Sequence, residues 1–190
     1  MPILGTVASQ FSGKSFGSFE SIATATVTTA TPTIEFTSIP STYKHLQIRG
    51  ITRDARSTSI NTLNMRVGNG SIDSSGNYST HYIDGEGSGT PISGAAGANY
   101  TGMAFMIEPG ASATANAFSV YIIDLLDYTN ANKYKTFKAF GGMDINGSGN
   151  ANVCSASWRS NSAITNIQFF NNGSFNFVAN SQLALYGIKG

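Results

Sequence analysis

Residues 44–53 read KHLQIRGITR, and this stretch carries the pattern that decides the fold. Leu46 and Ile48 alternate with polar side chains, which places apolar groups on one face of an extended segment and polar groups on the other. The alternation recurs in residues 61–70, NTLNMRVGNG, which end in a Gly-Asn-Gly sequence typical of a tight turn. Both stretches predict strands of an antiparallel sheet that has one wet face.

Outward from this pair of strands, the strand pattern continues along the chain. Ile34 and Phe36 share one face of a Thr-rich extended segment. The apolar run of residues 120–126 is rich in β-branched and aromatic side chains, which favours a strand over a helix. About eight to ten short strands separated by turn sequences predict an all-β fold. The expected architecture is an antiparallel β-sandwich or a jelly-roll-like domain over residues 21–190.

The composition agrees with a single β-rich domain. The chain has 190 residues, of which 41% are apolar and only 11% are charged. No apolar run approaches the ~20 residues of a membrane-spanning helix. Eleven basic side chains nearly balance 10 acidic ones, so there is no large field of one sign. We therefore expect neither a membrane nor a nucleic acid as a partner.

Residues 1–20 differ from the rest of the chain. Glycines and isolated apolar side chains occur there without a sustained period, which predicts an extended N-terminal arm. The phenylalanines of this arm, Phe11, Phe16 and Phe19, are candidate assembly contacts, because an extended arm can add to a neighbouring subunit. Residues 84–98 are rich in Gly, Ser and Ala and predict a surface loop.

Residues that usually bind metals are few and scattered. His45 and His81 stand far apart in sequence, and Cys154 is the only cysteine, so neither a metal site nor a disulfide is predicted. Cys154 is expected to be a buried structural residue. Residues 73–77, DSSGN, have oxygen ligands at a spacing that suits calcium, but a plain β-turn is the preferred interpretation. We expect no metal and no cofactor.

Paired carboxylates are the remaining candidates for catalysis. Asp84 lies near Glu86 in the Gly-rich segment, and Asp124 lies near Asp127 at a predicted strand end. Solvated carboxylates are ordinary at such positions. No serine follows the nucleophile-elbow pattern. The sequence therefore favours a protein that is not an enzyme.

Several tyrosines flank predicted loops, where a tyrosine ring can stack on a sugar or fill a protein interface. Packing at strand ends is the alternative for most of them. The candidates for a loop binding surface are Tyr78, Tyr82, Tyr100, Tyr128 and Tyr134.

Four stretches together resemble a known group of proteins. They are FTSIPSTYKHLQIRG at 36–50, GNYSTHYIDGEGS at 76–88, SWRSNSAITNIQFF at 157–170 and FNNGSFNFVANSQLALYGIK at 170–189. An Ile-Pro turn that leads into a His-Leu-Gln strand, with a Leu-Tyr-Gly-Ile strand at the end, resembles small β-rich virion structural proteins of tailed bacteriophages, especially phages of aquatic bacteria. The resemblance covers most of residues 34–189.

This resemblance implies a structural part of a phage particle, of the capsid-decoration or tail-fibre type, and no catalytic residue. We expect display on the virion surface and assembly through the arm and the sheet edges, with capsid decoration (cement) favoured because the chain is short and lacks a long shaft. The expected partners are other virion proteins and further copies of this chain, with a homotrimer favoured. The alternative is a tail-fibre or receptor-binding module that recognises host surface glycans through the tyrosine-lined loops.

The sequence also predicts where such a protein would be made. Residues 1–11 have neither the basic start nor the apolar stretch of a signal peptide. A single cysteine suits a reducing compartment. We therefore expect synthesis and assembly in the cytoplasm of a host bacterium, and final localisation in the virion.

Overall fold

The computed structural model describes residues 17–86, 92–93 and 97–190. Within these ranges the chain forms fourteen strands and no helix, which confirms the predicted all-β fold. The strands are β1 (Phe19–Thr26), β2 (Thr33–Phe36), β3 (His45–Thr52), β4 (Ile60–Asn69), β5 (Ser71–Ile72), β6 (Tyr78–Gly85), β7 (Ile92–Ser93), β8 (Gly97–Tyr100), β9 (Met103–Pro109), β10 (Ser119–Leu126), β11 (Lys135–Asp144), β12 (Gly149–Trp158), β13 (Asn166–Asn171) and β14 (Gln182–Ile188).

The strands form two antiparallel sheets of unequal size, consistent with the predicted sandwich. The large sheet has nine strands in the order β1-β14-β3-β10-β11-β12-β6-β7, with β8 also paired to β6. The small sheet has five strands in the order β2-β13-β4-β5, with β9 also paired to β4. Each sheet turns an apolar inner face toward the other, and these faces together form one core.

The core follows the alternation predicted from the sequence. Leu46 and Ile48 in β3 are fully buried, as are Leu63 and Met65 in β4. Gly50 extends the inner face of β3, where a Cβ would lie 2.2 Å from the ring of Tyr121. A side chain at this position would displace that ring, so the packing between the sheets requires glycine here.

Two sequence predictions about segment boundaries need correction. The prediction of a loop over residues 84–98 is wrong in part, because β7 and β8 both pair with β6. The loop was predicted because this segment has few large side chains. Backbone hydrogen bonds nevertheless form these short strands. The boundary at residue 20 also moves, since β1 begins at Phe19. The earlier part of the predicted arm, residues 1–16, lies outside the described residues.

The predicted turns have the backbone that their sequences favour. Asn146 and Gly147 join β11 to β12 and both have positive φ, 68° and 89°, as a type I′ hairpin turn requires. In residues 73–77 the carboxylate of Asp73 accepts hydrogen bonds from the backbone and side chain of Ser75 and from Asn77 and Trp158. Burial raises the pKa of Asp73, but these hydrogen bonds outweigh it and hold the pKa well below its usual range.

A buried arginine holds the loop between β9 and β10. The guanidinium of Arg53 donates to the carbonyl oxygens of Thr114 at 2.7 Å and Ala117 at 2.9 Å. It also donates to Ala113 at 3.1 Å and Ala111 at 3.4 Å. Because the five donors of an arginine form a rigid fork, one side chain fixes a whole loop at this end of the sandwich.

Candidate functional site

The outer face of the large sheet, which points away from the small sheet, is apolar over several neighbouring strands. Seven large apolar side chains on it are at least 40% exposed to solvent; Leu126 lies beyond Asp124 at the end of β10, and the other six form one set of neighbours. The register places Ile122, Phe140 and Val153 in one row across β10, β11 and β12. We call this set the apolar outer face, and its members are Ile51, Ile83, Val120, Ile122, Phe140 and Val153.

A groove of about 560 Å³ lies on this face. Gly142 pairs in register with Val120 on one side and with Ala151 on the other, so small residues form this part of its floor. Arg49 and Tyr186 also line it. An exposed apolar surface that is continuous over several strands is typical of a protein interaction site.

The same face becomes polar one row further along the strands. Gln47 Nε2 donates to Asp124 Oδ1 at 2.8 Å, and Arg49 Nε donates to Gln47 Oε1 at 3.0 Å. Lys138 pairs in register with Asp124. This row of hydrogen-bonded and charged side chains borders the apolar outer face on one side.

An aromatic pair lies at the rim of the groove, on the edge strand β1 and its neighbour β14. Phe19 in β1 stacks on Tyr186 in β14, with the ring centroids 4.7 Å apart. The Arg49 guanidinium lies 5.2 Å from the Phe19 ring centroid and 5.7 Å from that of Tyr186. Of the three arm phenylalanines predicted as assembly contacts, Phe19 is therefore part of the sheet, while Phe11 and Phe16 lie outside the described residues.

The structure separates the five candidate tyrosines into three environments. Tyr78 and Tyr128 are almost fully buried, so they belong to the core and present no binding surface. Their hydroxyls are engaged, since Tyr78 donates to the carbonyl oxygen of Asp73 and Tyr128 to that of Pro40. Tyr134 is exposed in the loop between β10 and β11. Tyr82 and Tyr100 line one shared pocket.

This pocket forms because the large sheet extends past the small one. Tyr82 lies on the inner face of β6, beyond the edge strand β9 of the small sheet, and the outer side of β4 and β13 completes the walls. A pocket of about 410 Å³ contains Tyr82 and Tyr100, and an adjoining pocket of about 330 Å³ also contains Tyr82. The two pockets share Thr62, Tyr82 and Ala104, and we call them together the β6–β9 cleft.

Two buried polar atoms at this cleft have no hydrogen-bond partner among the described residues. They are Thr80 Oγ1, in the pocket with Tyr100, and Asp84 Oδ1, in the adjoining pocket. The other carboxylate oxygen, Asp84 Oδ2, accepts a hydrogen bond from Asn150 Nδ2 at 2.9 Å. Asp84, predicted to be a solvated loop carboxylate, is instead buried in β6, because it points inward on that strand.

A second group of buried polar side chains lies between the sheets. Thr52 Oγ1 donates to Glu108 Oε2 at 2.6 Å, and Ser119 Oγ lies 3.4 Å from Thr52 Oγ1. Glu108 is fully buried, and burial raises its pKa to about 8. Burial also raises the pKa of Asp54 nearby. Burial therefore favours the protonated form of the core residue Glu108.

Two other candidates from the sequence, Asp127 and His45, stabilise the junction between neighbouring strands. Asp127 forms ion pairs with Lys133 and with Lys44, the latter at 3.1 Å. The hydrogen bonds from Lys133 and then Lys44 lower the pKa of Asp127 to about 2. His45 Nδ1 accepts a hydrogen bond from the Asp127 backbone N–H at 3.0 Å. Asp127 and His45 therefore hold the end of β10 against β3.

The remaining features of the described residues concern potential metal ligands, the single cysteine and membrane-spanning helices. Within residues 17–86, 92–93 and 97–190, no three His, Cys, Asp or Glu side chains come together as a metal site would require. Cys154 is buried, as predicted, and burial raises the pKa of its thiol to about 12. No helix among these residues is long and apolar enough to cross a membrane.

Comparison of the chain with protein-family models, with curated proteins and with solved structures gives no match. The candidate site therefore rests on geometry and on residue chemistry. Two surfaces stand out: the apolar outer face of the large sheet and the β6–β9 cleft.

Sequence reasoning identified one of these surfaces in part and missed the other. Tyr82 and Tyr100 were candidates, but Thr80 and its unpartnered hydroxyl were not. The apolar outer face was missed, although the run of residues 120–126 contained the signal. Val120 and Ile122 fall on the face opposite Tyr121 and Ile123, so both faces of this strand are apolar.

Proposed function

We propose that this chain is a structural protein of a tailed-phage virion, displayed on the particle surface and assembled through its N-terminal arm and its apolar outer face. Capsid decoration is the preferred role. The proposal is supported by the resemblance of four sequence stretches to virion proteins. The observation that carries it is the apolar outer face, because the solvent-facing side of an isolated antiparallel sheet is normally polar.

The energetics of this face favour association. Phe140 is 59% exposed and Val153 is 44% exposed, so a partner that covered them would remove substantial apolar area from water. Full burial of one large apolar side chain stabilises by about 1.5–3 kcal/mol, and partial burial by proportionately less. Several such side chains on neighbouring strands supply a stable contact even after the entropy cost of association.

The edge strand β1 offers a surface on which the arm can contact another copy. Its partner β14 covers one side of β1, and among the described residues the other side is an edge of the large sheet. An uncovered sheet edge invites pairing with another chain. A contact between the arm of one copy and the groove of the next copy is heterologous, and heterologous contacts can close into rings. The resemblance favours a homotrimer as that ring.

Electron microscopy of purified particles tests the proposal. We expect density for this protein on the capsid of wild-type particles. The variant Phe140→Lys places a charge in the centre of the apolar outer face, and we expect it to be lost from particles. The matched control is Gln168→Lys on the outer face of the small sheet, where Gln168 already contacts Glu35. We expect this control to be incorporated as the wild type is.

Each result has a defined meaning once circular dichroism shows that the variants are folded. Incorporation of Phe140→Lys at the wild-type level would contradict assembly through the apolar outer face. Absence of the protein from purified particles would contradict the virion assignment, and density at the tail tip would favour the receptor-binding alternative. A variant without residues 1–16 tests the arm, since the truncation leaves β1 complete, and we expect it to lose both incorporation and the oligomer.

A further inference from the structure

We propose that the β6–β9 cleft binds a neutral oligosaccharide. This inference comes from the cleft alone and does not rest on the virion assignment. The cleft combines aromatic rings, uncharged polar side chains and two buried polar atoms that lack partners in the described protein. A ligand that offers both ring C–H surfaces and hydroxyl groups matches this combination.

The unpartnered atoms are the contact points that we assign to the ligand. Thr80 is 2% exposed and Asp84 is 7% exposed, yet Thr80 Oγ1 and Asp84 Oδ1 have no hydrogen-bond partner in the described chain. Buried polar atoms are nearly always paired in native proteins, because an unpaired one carries its full desolvation cost. A ligand hydroxyl can donate to the Asp84 carboxylate, and it can both donate to and accept from the Thr80 hydroxyl.

The aromatic side chains suit the ring of a sugar. Tyr82 lies in both pockets, and Tyr100 and Phe170 lie in the larger one. A tyrosine presents a flat apolar face together with a polar tip, and small-molecule sites typically combine such faces with a few fixed polar groups. Asn64 and Asn172 provide further amide groups on the wall formed by the small sheet.

Charge selects a neutral ligand over an acidic one. Asp84 and Glu86 both line the smaller pocket, and an acidic sugar would be repelled by these carboxylates. The nearest arginine on the small sheet is already engaged. The Arg66 guanidinium lies 4.0 Å from the Phe170 ring centroid, and its Nε donates to the Thr101 carbonyl oxygen at 2.6 Å.

The size of the cleft fits an oligosaccharide. The pockets measure about 410 and 330 Å³, within the range of small-molecule sites. Because Tyr82 is common to both, it would lie at the junction between two successive sugar residues. Thr80 would contact the residue in the larger pocket, and Asp84 the residue in the smaller one.

Glycan-array binding followed by titration calorimetry tests the proposal on the full chain. The array carries neutral oligosaccharides, including cellotriose, maltotriose and triacetylchitotriose, beside acidic ones such as sialyllactose. We expect binding to at least one neutral oligosaccharide and no preference for the acidic ones. Tyr82→Ala and Asp84→Asn should each weaken that binding by about tenfold or more, the scale of one lost stacking or charge-assisted contact. The matched control, Tyr134→Ala, removes an exposed tyrosine from another part of the molecule and should leave binding unchanged.

Thr80→Val separates a binding role from a structural one. This change keeps the shape of the side chain and removes the buried hydroxyl that has no partner. We expect the free protein to keep or gain thermal stability, while saccharide binding weakens several-fold. Loss of stability in Thr80→Val, unchanged binding in the three cleft variants, equal weakening by Tyr134→Ala, or an array on which no neutral oligosaccharide binds would each overturn the proposal.

Discussion

The two sheets of this sandwich have similar inner faces and different outer faces. On the small sheet most outer side chains are polar, as where Gln168 Nε2 donates to Glu35 Oε1 at 2.6 Å, and Ile60, 41% exposed, is an apolar exception. Its aromatic residue there, Phe170, is covered by the Arg66 guanidinium at 4.0 Å from the ring centroid. On the large sheet Phe140 is 59% exposed and Val153 is 44% exposed among the described residues.

This difference between the two outer faces distinguishes side chains that folding requires from side chains that it does not require. Both inner faces must be apolar, because the core between the sheets is the main source of stability. The small sheet shows that this fold accepts a polar outer face. Exposed apolar side chains on the large sheet are therefore not a requirement of the sandwich, and the assembly contact proposed above would account for them.

The largest expected effect compares two phenylalanines on one strand. Phe137 in β11 points into the core between the sheets and is 1% exposed, whereas Phe140 on the same strand is 59% exposed. We expect Phe137→Ala to lower the free energy of unfolding by about 3–5 kcal/mol, and Phe140→Ala to change it by no more than about 0.5 kcal/mol in the monomer. Urea denaturation at low protein concentration measures both. Similar losses would mean that the outer face belongs to the folding core.

The second prediction concerns the pH dependence of stability and its origin between the sheets. The pKa of Glu108 is raised from 4.5 to about 8 in the folded protein. Between these values the unfolded chain releases a proton that the folded protein retains, so the free energy of unfolding falls as pH rises. The slope is at most about 1.4 kcal/mol per pH unit and ends near pH 8. The raised pKa of Asp54 acts in the same direction at lower pH.

Denaturation from pH 5 to pH 8 checks this assignment. We expect Glu108→Gln to flatten the decline, because glutamine keeps the shape and cannot ionise. The same change on the outer face of the small sheet, Glu35→Gln, is the control and should keep the wild-type slope. An unchanged slope in Glu108→Gln would show that another group controls stability in this range. Below pH 4 the sign reverses, since Asp127 has a lowered pKa and its stabilising ion pairs are lost on protonation.

The sequence predicted the inner faces well and the outer faces poorly, for a physical reason. Leu46 and Ile48 had to be buried, since a shift of one residue would turn both of them toward solvent. No comparable constraint acts on the outer face, so the apolar side chains of residues 120–126 predict a strand but not that one of its faces is exposed. Local periodicity carries no information about what, if anything, covers the second face.

The β6–β9 cleft could not be predicted from the local sequence pattern, for a different reason. Tyr78 and Tyr82 lie four residues apart on the same inner side of β6, yet Tyr78 is in the core and Tyr82 lines the cleft. The difference depends on where the small sheet ends, which is set by pairing between segments far apart in the chain. Arg53 is a similar case, because its four carbonyl partners lie about 60 residues further along.

A third prediction tests the two outer faces directly in solution. Phe140→Ala removes apolar area from the outer face of the large sheet, and Phe170→Ala makes the same change on the small sheet. We expect Phe140→Ala to weaken self-association by about tenfold or more, and Phe170→Ala to leave it within about twofold. Native mass spectrometry over a dilution series measures the oligomer, expected at three times the 19.9 kDa chain mass. Equal weakening by both variants would remove the distinction between the faces.

The smallest effect compares neighbouring residues on β12. Cys154 faces inward and is 1% exposed, while Val153 faces outward and is 44% exposed. Burial keeps the Cys154 thiol protonated, with a pKa of about 12, so a thiol reagent should react only as fast as the chain opens. In a Cys154→Ala background, Val153→Cys should react at once in the monomer and more slowly in the oligomer, at a cost in stability of about 1 kcal/mol or less. Equal protection of Val153→Cys in monomer and oligomer would mean that no subunit covers this part of the apolar outer face.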